Sequence, residues 1–574
     1  MNIIISFIKP YRALFVLTLL FVVLDVFGAL VIPTITADMI NVGVSAGDLG
    51  YIVKKGILMV IVTVFAGASA LLGSYLSAKL SAKIGQDMRN ALYDRALTFS
   101  VHDFEQFGTA SMITRTLNDV SVVQQAVVWC VTMVLPVPAL CVLGIVMAFS
   151  IEPSMGAVLA GAVVFVMILT LFISKKAAVI FEKMQHFLDR MNVVLRENIT
   201  GVRVIRAFNK EKYEKKRMKK SFEDYAEAAI KTNCLFAALD CFTFFIINIL
   251  IVIILWAGGN RIGGGTMEIG DITALTEYTI LILFYLMMAQ MVLILLPRAK
   301  VCLERIEEVL EHKPEISDGR EEDALEDAGE DVAVFQNVTF RFKDADEDTL
   351  GGLNFTCRRG QTTAIIGGTG SGKSTIAKLL LRFHDVTGGR VLLNGRDIRT
   401  MSQHELREHI AYVPQKAWLF SGTIEENLRH GKEDASEEEM FHGLEVAQAG
   451  FVKNLEEGMK AHVAQGGTNF SGGQKQRLAI ARALMKKADL YIFDDSFSAL
   501  DFKTDRALRR ALAQETKDAA VLIIAQRINT ILNADQIIVL HNGKTAGIGN
   551  HKELMESCSV YQEIARSQMK GEEM

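Results

Sequence analysis

Charge of one sign is missing from this sequence. Lysine and arginine number 61 against 65 aspartates and glutamates, a net of −4, so no electrostatic excess argues for a nucleic-acid partner. Paired cysteines are missing as well. The seven, at 130, 141, 234, 241, 302, 357 and 558, fall in apolar stretches or in segments expected in the cytoplasm, without the spacing of a zinc site. In a reducing compartment such thiols stay free, and structural roles are expected for them. A cleavable export signal is the third absence. The first apolar run is far longer than the ~7–15 residues of a signal core, and no small-residue cleavage site follows a short one. No protease-like leader is expected ahead of that run.

What the sequence has is segregation. Hydrophobic residues make up 50% and charged ones 22%, but the long apolar runs crowd into the first three hundred positions. Six of them, near 13–35, 55–77, 126–149, 155–174, 234–257 and 272–297, reach the about 20 residues that cross a bilayer as helix. Six such runs in half a chain do not fit the buried helices of a soluble protein. Residues 1–8 read as a short amphipathic helix on the membrane surface. Basic residues then give the orientation. Lys79, Lys83, Arg89, Arg95 and Arg115 follow the second run, and Lys175, Lys176, Arg203, Arg206 and the stretch 215–220 follow the fourth. The connections after the first, third and fifth are read as holding a single basic residue, Arg261. Both long connections and both termini are therefore expected in the cytoplasm, in a multi-pass protein of the cytoplasmic (inner) membrane.

Those two connections continue a helical pattern beyond the bilayer and turn near 100–108 and near Gly201, as protruding hairpins would. Acidic residues dominate 315–331, a pattern of solvated linkers. From Ala333 apolar and polar residues alternate, as in strands. The expected organisation is a six-span domain over 1–312, a linker over 313–332, and a second domain over 333–574 with a frayed tail at 570–574.

The second domain carries the chemistry. Gly367, Gly368, Thr369, Gly370, Ser371, Gly372, Lys373, Ser374 and Thr375 follow a strand-like run and open a helix, the context a phosphate-binding loop requires. Glycines let successive backbone N–H groups face phosphate oxygens, and the helix N-terminus adds partial positive charge. Lys373 is placed for the β- and γ-phosphates of ATP and Ser374 for Mg²⁺. An apolar strand ends in Asp494 and Asp495, the first suited to hold Mg²⁺ and the second to polarise the attacking water. Between these lies Asn469-Phe-Ser-Gly-Gly-Gln-Lys-Gln-Arg477, followed by a helical run.

At this motif the sequence resembles the ATP-binding cassette (ABC) superfamily, in its bacterial exporter form with both domains on one chain. The resemblance covers essentially the whole sequence. It implies an α-helical membrane bundle of six transmembrane helices, followed by an α/β P-loop ATPase domain with a helical signature subdomain. It also implies that two chains pair, with Ser471, Gly472, Gly473 and Gln474 closing on the γ-phosphate held by the opposite subunit. By the same resemblance Phe342 stacks on adenine, Gln415 couples Mg²⁺ and water to the transmembrane hairpins, and Asp501 lies in the loop that crosses the dimer interface. Closure around two ATP molecules, transmitted through the hairpin tips near 104–108 and 201–208, would open the cavity outward.

Two positions depart from the family. Asp495 stands where Glu is usual, withdrawing the carboxylate by roughly 1.5 Å, and misplacement of ~1 Å can cost roughly 10²-fold. Gln526 stands where His is usual; an imidazole there can contact the γ-phosphate as a donor and carry charge, whereas a glutamine amide can donate to it but cannot become cationic. Both sit on the hydrolysis machinery, while the ATP-holding groups are intact. The expectation is a heterodimeric exporter in which this chain keeps a hydrolytically weak site and lends its signature helix to a different half-transporter. A homodimeric lipid flippase or peptide exporter and an ATP-gated channel are the alternatives. The substrate is expected to be a small amphiphile. Tyr278, Phe284, Tyr285, Met287, Met288 and Met291, with Phe242, Phe244 and Phe245, offer adaptable apolar surface. Asp25, Asp240 and Glu277 would favour cations.

Overall fold

The computed structural model describes residues 2–319 and 329–569. The middle of the expected linker and the tail at 570–574 lie outside the described residues. The chain divides into two compact units, one of Met1–Thr98 with Phe107–Lys313, the other of Phe99–Gln106 with Pro314–Met574.

Six helices of the first unit are long and apolar enough to cross a membrane: Ile3–Val44, Leu49–Leu97, Thr109–Ile151, Pro153–Ala177, Glu211–Gly263 and Ile269–Glu311. Between 17% and 44% of the apolar window of each is buried, so most of their surface needs lipid or a second chain to cover it. Polar side chains start some of them. Asp48 accepts from Tyr51 N at 3.0 Å, and Glu268 and Asp271 form a reciprocal capping box. A helix spans Asn2–Ile8, where a membrane-surface helix is expected, and passes through a turn at Lys9–Tyr11 directly into Arg12–Asp38. Lys54 and Lys55 stand near the start of the second long helix, where Lys55 pairs with Asp38, so Arg261 has more basic company at that end than the six runs imply. Arg261 itself pairs with Glu152.

Leu30, Leu140, Val166, Tyr278 and Ile282 are buried where these helices meet. Tyr278, read above as a candidate for substrate contact, is fully enclosed and shares a 2.6 Å hydrogen bond with Thr34. It is a packing residue because its hydroxyl already has a partner across the bundle. Phe284, Met291, Phe242, Phe244 and Phe245 are exposed on the single chain.

The tip of the first hairpin, Phe99–Gln106, groups with the second unit. Its Asp103 is 2% exposed and accepts from Ser100 N at 2.9 Å and from Glu315 N at 3.3 Å. The second tip, turning at Gly201, stays with the first unit and leaves Val204 and Phe208 exposed.

The second unit is built on a six-stranded sheet. Its order is Lys544–Gly549, Gln536–His541, Thr362–Gly367, Ala520–Ile524, Leu490–Asp494, Ile410–Val413, parallel except for the first pair. Apart from the edge strand Lys544–Gly549, these strands are buried on both faces and are near-continuous apolar runs. Alternate residues serve different cores: Ala364 and Ile366 face the signature-helix side, Ile365 the side of the helix Lys373–Leu380. A four-stranded antiparallel sheet, Leu350–Arg358, Asp331–Phe340, Gly388–Leu393 and Arg396–Asp397, belongs to the latter core. The helices Ile424–Arg429, Glu437–Val446 and Gly472–Leu484 belong to the former.

Candidate nucleotide site

The site gathers at the carboxyl ends of neighbouring strands. Ile524 is level with Ile365 on one side and Asp494 on the other, so the phosphate loop, the loop carrying Gln526 and the two carboxylates follow three adjacent strands. This is where ligands bind in open α/β sheets.

The loop from Gly367 to Gly372 ends in a left-handed residue, Gly372 at φ +90. A Cβ there would lie 2.5 Å from Leu350 Cδ2 and 3.1 Å from Thr349 O, so both conformation and space demand glycine. The helix Lys373–Leu380 starts immediately after, without a side-chain cap, which leaves its first N–H groups available to an anion. Lys373 Nζ meanwhile donates to the carbonyls of Gly367 at 2.9 Å and Gly368 at 2.7 Å. Burial pulls its ammonium below the ordinary lysine range, and the charges of Asp495 and Asp494 pull it back. Ser371 Oγ is buried with no hydrogen-bond partner among the described residues. A buried donor without a partner fits a phosphate oxygen.

Ser374 Oγ donates to Asp494 Oδ1 at 2.9 Å, and Tyr412 OH reaches Asp494 Oδ2 at the long distance of 3.5 Å. Burial holds the Asp494 carboxyl above the usual carboxylate range. Ser374 and Tyr412 offset this, while the charge of Asp495 adds to it. Two hard-oxygen carboxylates beside a hydroxyl, one of them penalised for ionising, fit Mg²⁺.

A stability prediction follows with a definite sign. A carboxyl with raised pKa stabilises the fold when protonated, and that stability is lost as pH rises through the raised value. Asp494→Asn is therefore expected to raise the melting temperature of the nucleotide-free protein at pH 7, by about 2–4 °C per kcal/mol relieved. The gap should close near pH 4, and the variant should lose the stabilisation that Mg-ATP gives wild type. Thermal unfolding at the two pH values, with and without Mg-ATP, measures all three effects.

Asp495 turns the chain off its strand in the left-handed region, at φ 47. Its N–H donates to Ile524 O at 2.8 Å, and its Oδ2 accepts from Gln415 Nε2 at 3.3 Å. Asp and Asn tolerate this backbone better than longer side chains. Gln526 is exposed, and its backbone carbonyl accepts from Gln568 at 2.7 Å. Phe342 packs edge-on to Phe340 and His384, with centroids 4.8 and 5.3 Å apart. Thr375 is buried behind the loop.

Ser471 caps the signature helix. Its Oγ accepts from Gln474 N at 3.3 Å while Gln474 Oε1 accepts from Ser471 N at 2.9 Å. The Gln474 side chain is thus occupied locally, whereas the Ser471 hydroxyl keeps its own proton to donate. A Cβ on Gly472 would meet nothing within 4 Å, and one on Gly473 would lie 3.2 Å from Ala499 O. Asp501 caps the helix Phe502–Glu515 by accepting from Thr504 N at 3.0 Å. That and neighbouring N–H groups hold its carboxyl below the usual range.

Tyr412, His384 and Gln568 were not singled out from sequence. Tyr412 sits within the Tyr-Val-Pro-Gln string and has a visible neighbour in Gln415. Gln568 has no local signal, since its partners lie some forty positions away.

Comparison with known proteins agrees with this architecture. Residues 15–287 match the ABC transporter transmembrane region and residues 350–498 the ABC transporter domain. An uncharacterised ABC transporter ATP-binding protein of Mycobacterium tuberculosis is 38% identical over 98% of this chain and 97% of its own length. Another, from Bacillus subtilis, is 34% identical over 98% of each. An ATP-dependent lipid A-core flippase of Syntrophus aciditrophicus is 30% identical over 87% of this chain and 84% of its own. A bacterial Atm1-family ABC exporter solved with ATP bound superposes with a TM-score of 0.82 at 25% identity, covering 98% of this chain and 99% of that one. The chain belongs to the ABC transporter family, a multi-pass membrane ATPase that carries the transmembrane region and the ATP-binding domain on one polypeptide.

Proposed function

We propose that this chain is the weakly hydrolysing subunit of a heterodimeric exporter of small amphiphiles, in the cytoplasmic membrane with both termini inside. The observation that carries the reading is the pair Asp495 and Gln526 beside intact ATP-holding groups. The Asp495 carboxylate is short by one methylene and already shares a hydrogen bond with Gln415. Gln526 brings no imidazole. Ser374 is meanwhile hydrogen-bonded to Asp494, and Lys373 is held by the carbonyls of Gly367 and Gly368. Such a site holds nucleotide and turns it over slowly.

Ser374, Asp494 and Gln415 would hold Mg²⁺, which neutralises charge on the phosphoryl group in transfer. Phe342 receives the adenine, and Ser471, Gly472 and Gly473 complete the partner's site with N–H and O–H donors. Lipid flipping is the second reading, favoured by the relative that is a lipid A-core flippase.

The full-length chain purified alone is expected to show little ATPase activity. Robust cooperative hydrolysis without a second subunit sinks the heterodimer. Within the heterodimer, Asp495→Asn is expected to change total turnover less than two-fold, against roughly 10²-fold for neutralising the partner's corresponding carboxylate. Uptake into inside-out vesicles of a cationic dye panel, run beside a fluorescent lipid, separates drug export from flipping.

A further inference from the structure

The loop after strand Ala520–Ile524 is held from two directions. From the helix Phe502–Glu515, Arg509 donates to the carbonyls of Asn529 at 3.0 Å and Thr530 at 3.1 Å. Asp505 fixes Arg509 in turn, at 3.1 and 2.8 Å. From the C-terminal helix Ser559–Met569, Gln568 donates to the carbonyl of Gln526 at 2.7 Å and accepts the N–H of Ile528 at 2.8 Å.

The two ties act on different parts of the loop. Arg509 holds the far turn, whereas Gln568 straddles Arg527, which is extended at φ −109 and ψ 131. The flanking backbone of Gln526 and Ile528 is therefore locked as it would be by a neighbouring strand. A primary amide can do this because it donates and accepts at the same end.

Gln568 is itself exposed, but the helix that carries it is anchored. Tyr561, Ala565 and Gln568 are spaced four and three apart, along one helical face. Tyr561 and Ala565 are 0% and 1% exposed, and the Tyr561 hydroxyl is hydrogen-bonded to His551 Nδ1 at 2.8 Å. Beyond this buried stripe the exposed Gln568 amide is held by its two hydrogen bonds to the loop backbone. Gln526 is exposed, so its direction depends chiefly on the backbone beneath it.

We propose that Gln568 is a positioning residue for γ-phosphate recognition. It sets the backbone from which Gln526 reaches the terminal phosphate, and so governs how strongly this site prefers ATP to ADP. The proposal rests on the reading of Gln526 as a phosphate contact.

Equilibrium binding of radiolabelled ATP and ADP to the full-length chain with Mg²⁺ tests it. Gln568→Met removes both hydrogen bonds at similar length. Gln568→Glu keeps the bond from Ile528 and sets a carboxylate against the Gln526 carbonyl. Both are expected to raise the ATP dissociation constant about five-fold, the scale of one or two hydrogen bonds, and to leave ADP unchanged. In a Gln526→Ala background, Gln568→Met should not lower the ATP-to-ADP preference further. Equal weakening of ATP and ADP, no weakening of either, or an undiminished effect in the Gln526→Ala background overturns the proposal. A Gln526→Ala variant with wild-type preference overturns the reading of Gln526 and the proposal together. A preference that falls in Gln526→Ala but not in Gln568→Met overturns the proposal alone.

Discussion

Gly472→Asp is expected to lower the ATPase activity of the heterodimer by two to three orders of magnitude while leaving nucleotide binding to this chain's own phosphate loop intact. The size follows from what a preorganised donor contributes to a developing phosphate charge, roughly 10²–10³ in turnover per donor. The substitution places a carboxylate at a helix N-terminus that would otherwise face the partner's γ-phosphate, so attraction becomes repulsion. It is also a clean variant. A Cβ on Gly472 meets nothing within 4 Å, and an acidic residue in the first helical turn is itself favourable to the helix. Ser471→Ala is less clean, because it removes the capping-box acceptor of Gln474 N, a loss of about 1 kcal/mol to the helix. Steady-state turnover and binding of labelled ATP to the P-loop of this chain measure the two expectations. Full activity in Gly472→Asp removes the signature helix from the partner's active site.

The second expectation is a gain. Asp495→Glu combined with Gln526→His should raise hydrolysis at this chain's own site about 10²-fold, by returning the carboxylate to full reach and supplying an imidazole. Single-turnover hydrolysis, with the partner's carboxylate neutralised so that only this site can act, is the measurement. Two features of the structure bear on it. Asp495 leaves its strand at φ 47, where glutamate is less at ease than aspartate, so a modest loss of stability accompanies the gain. The backbone of Gln526 is already held through Gln568, so a histidine introduced there inherits a fixed direction. A double variant as slow as wild type places the cause of weakness elsewhere.

The parts of this architecture legible from sequence were those that depend on short-range pattern. The six spans follow from run length against bilayer thickness, and the phosphate loop from glycines between a strand and a helix. The departures at Asp495 and Gln526 were visible because each sits beside a motif that fixes its address. Less was legible where partners are distant. Tyr278 looked like a candidate for substrate contact, but its hydroxyl meets Thr34 across the bundle. The first hairpin was read as turning near 100–108; that its Asp103 accepts from Glu315 N depends on a contact between segments more than two hundred positions apart.

The sequence by itself determined that the chain has six membrane-spanning helices and a P-loop ATPase domain, because hydrophobic length and local loop chemistry need no long-range information. Only the tertiary structure decided which groups share the site. Ser374 meets Asp494 and Gln415 meets Asp495 because parallel strand order brings together ends that the chain keeps far apart, and Gln568 meets Gln526 because the C-terminal helix packs back beside the loop after Ile524. A hydrogen bond requires heavy atoms within about 3 Å, and sequence spacing carries no such distance once the chain has folded back on itself.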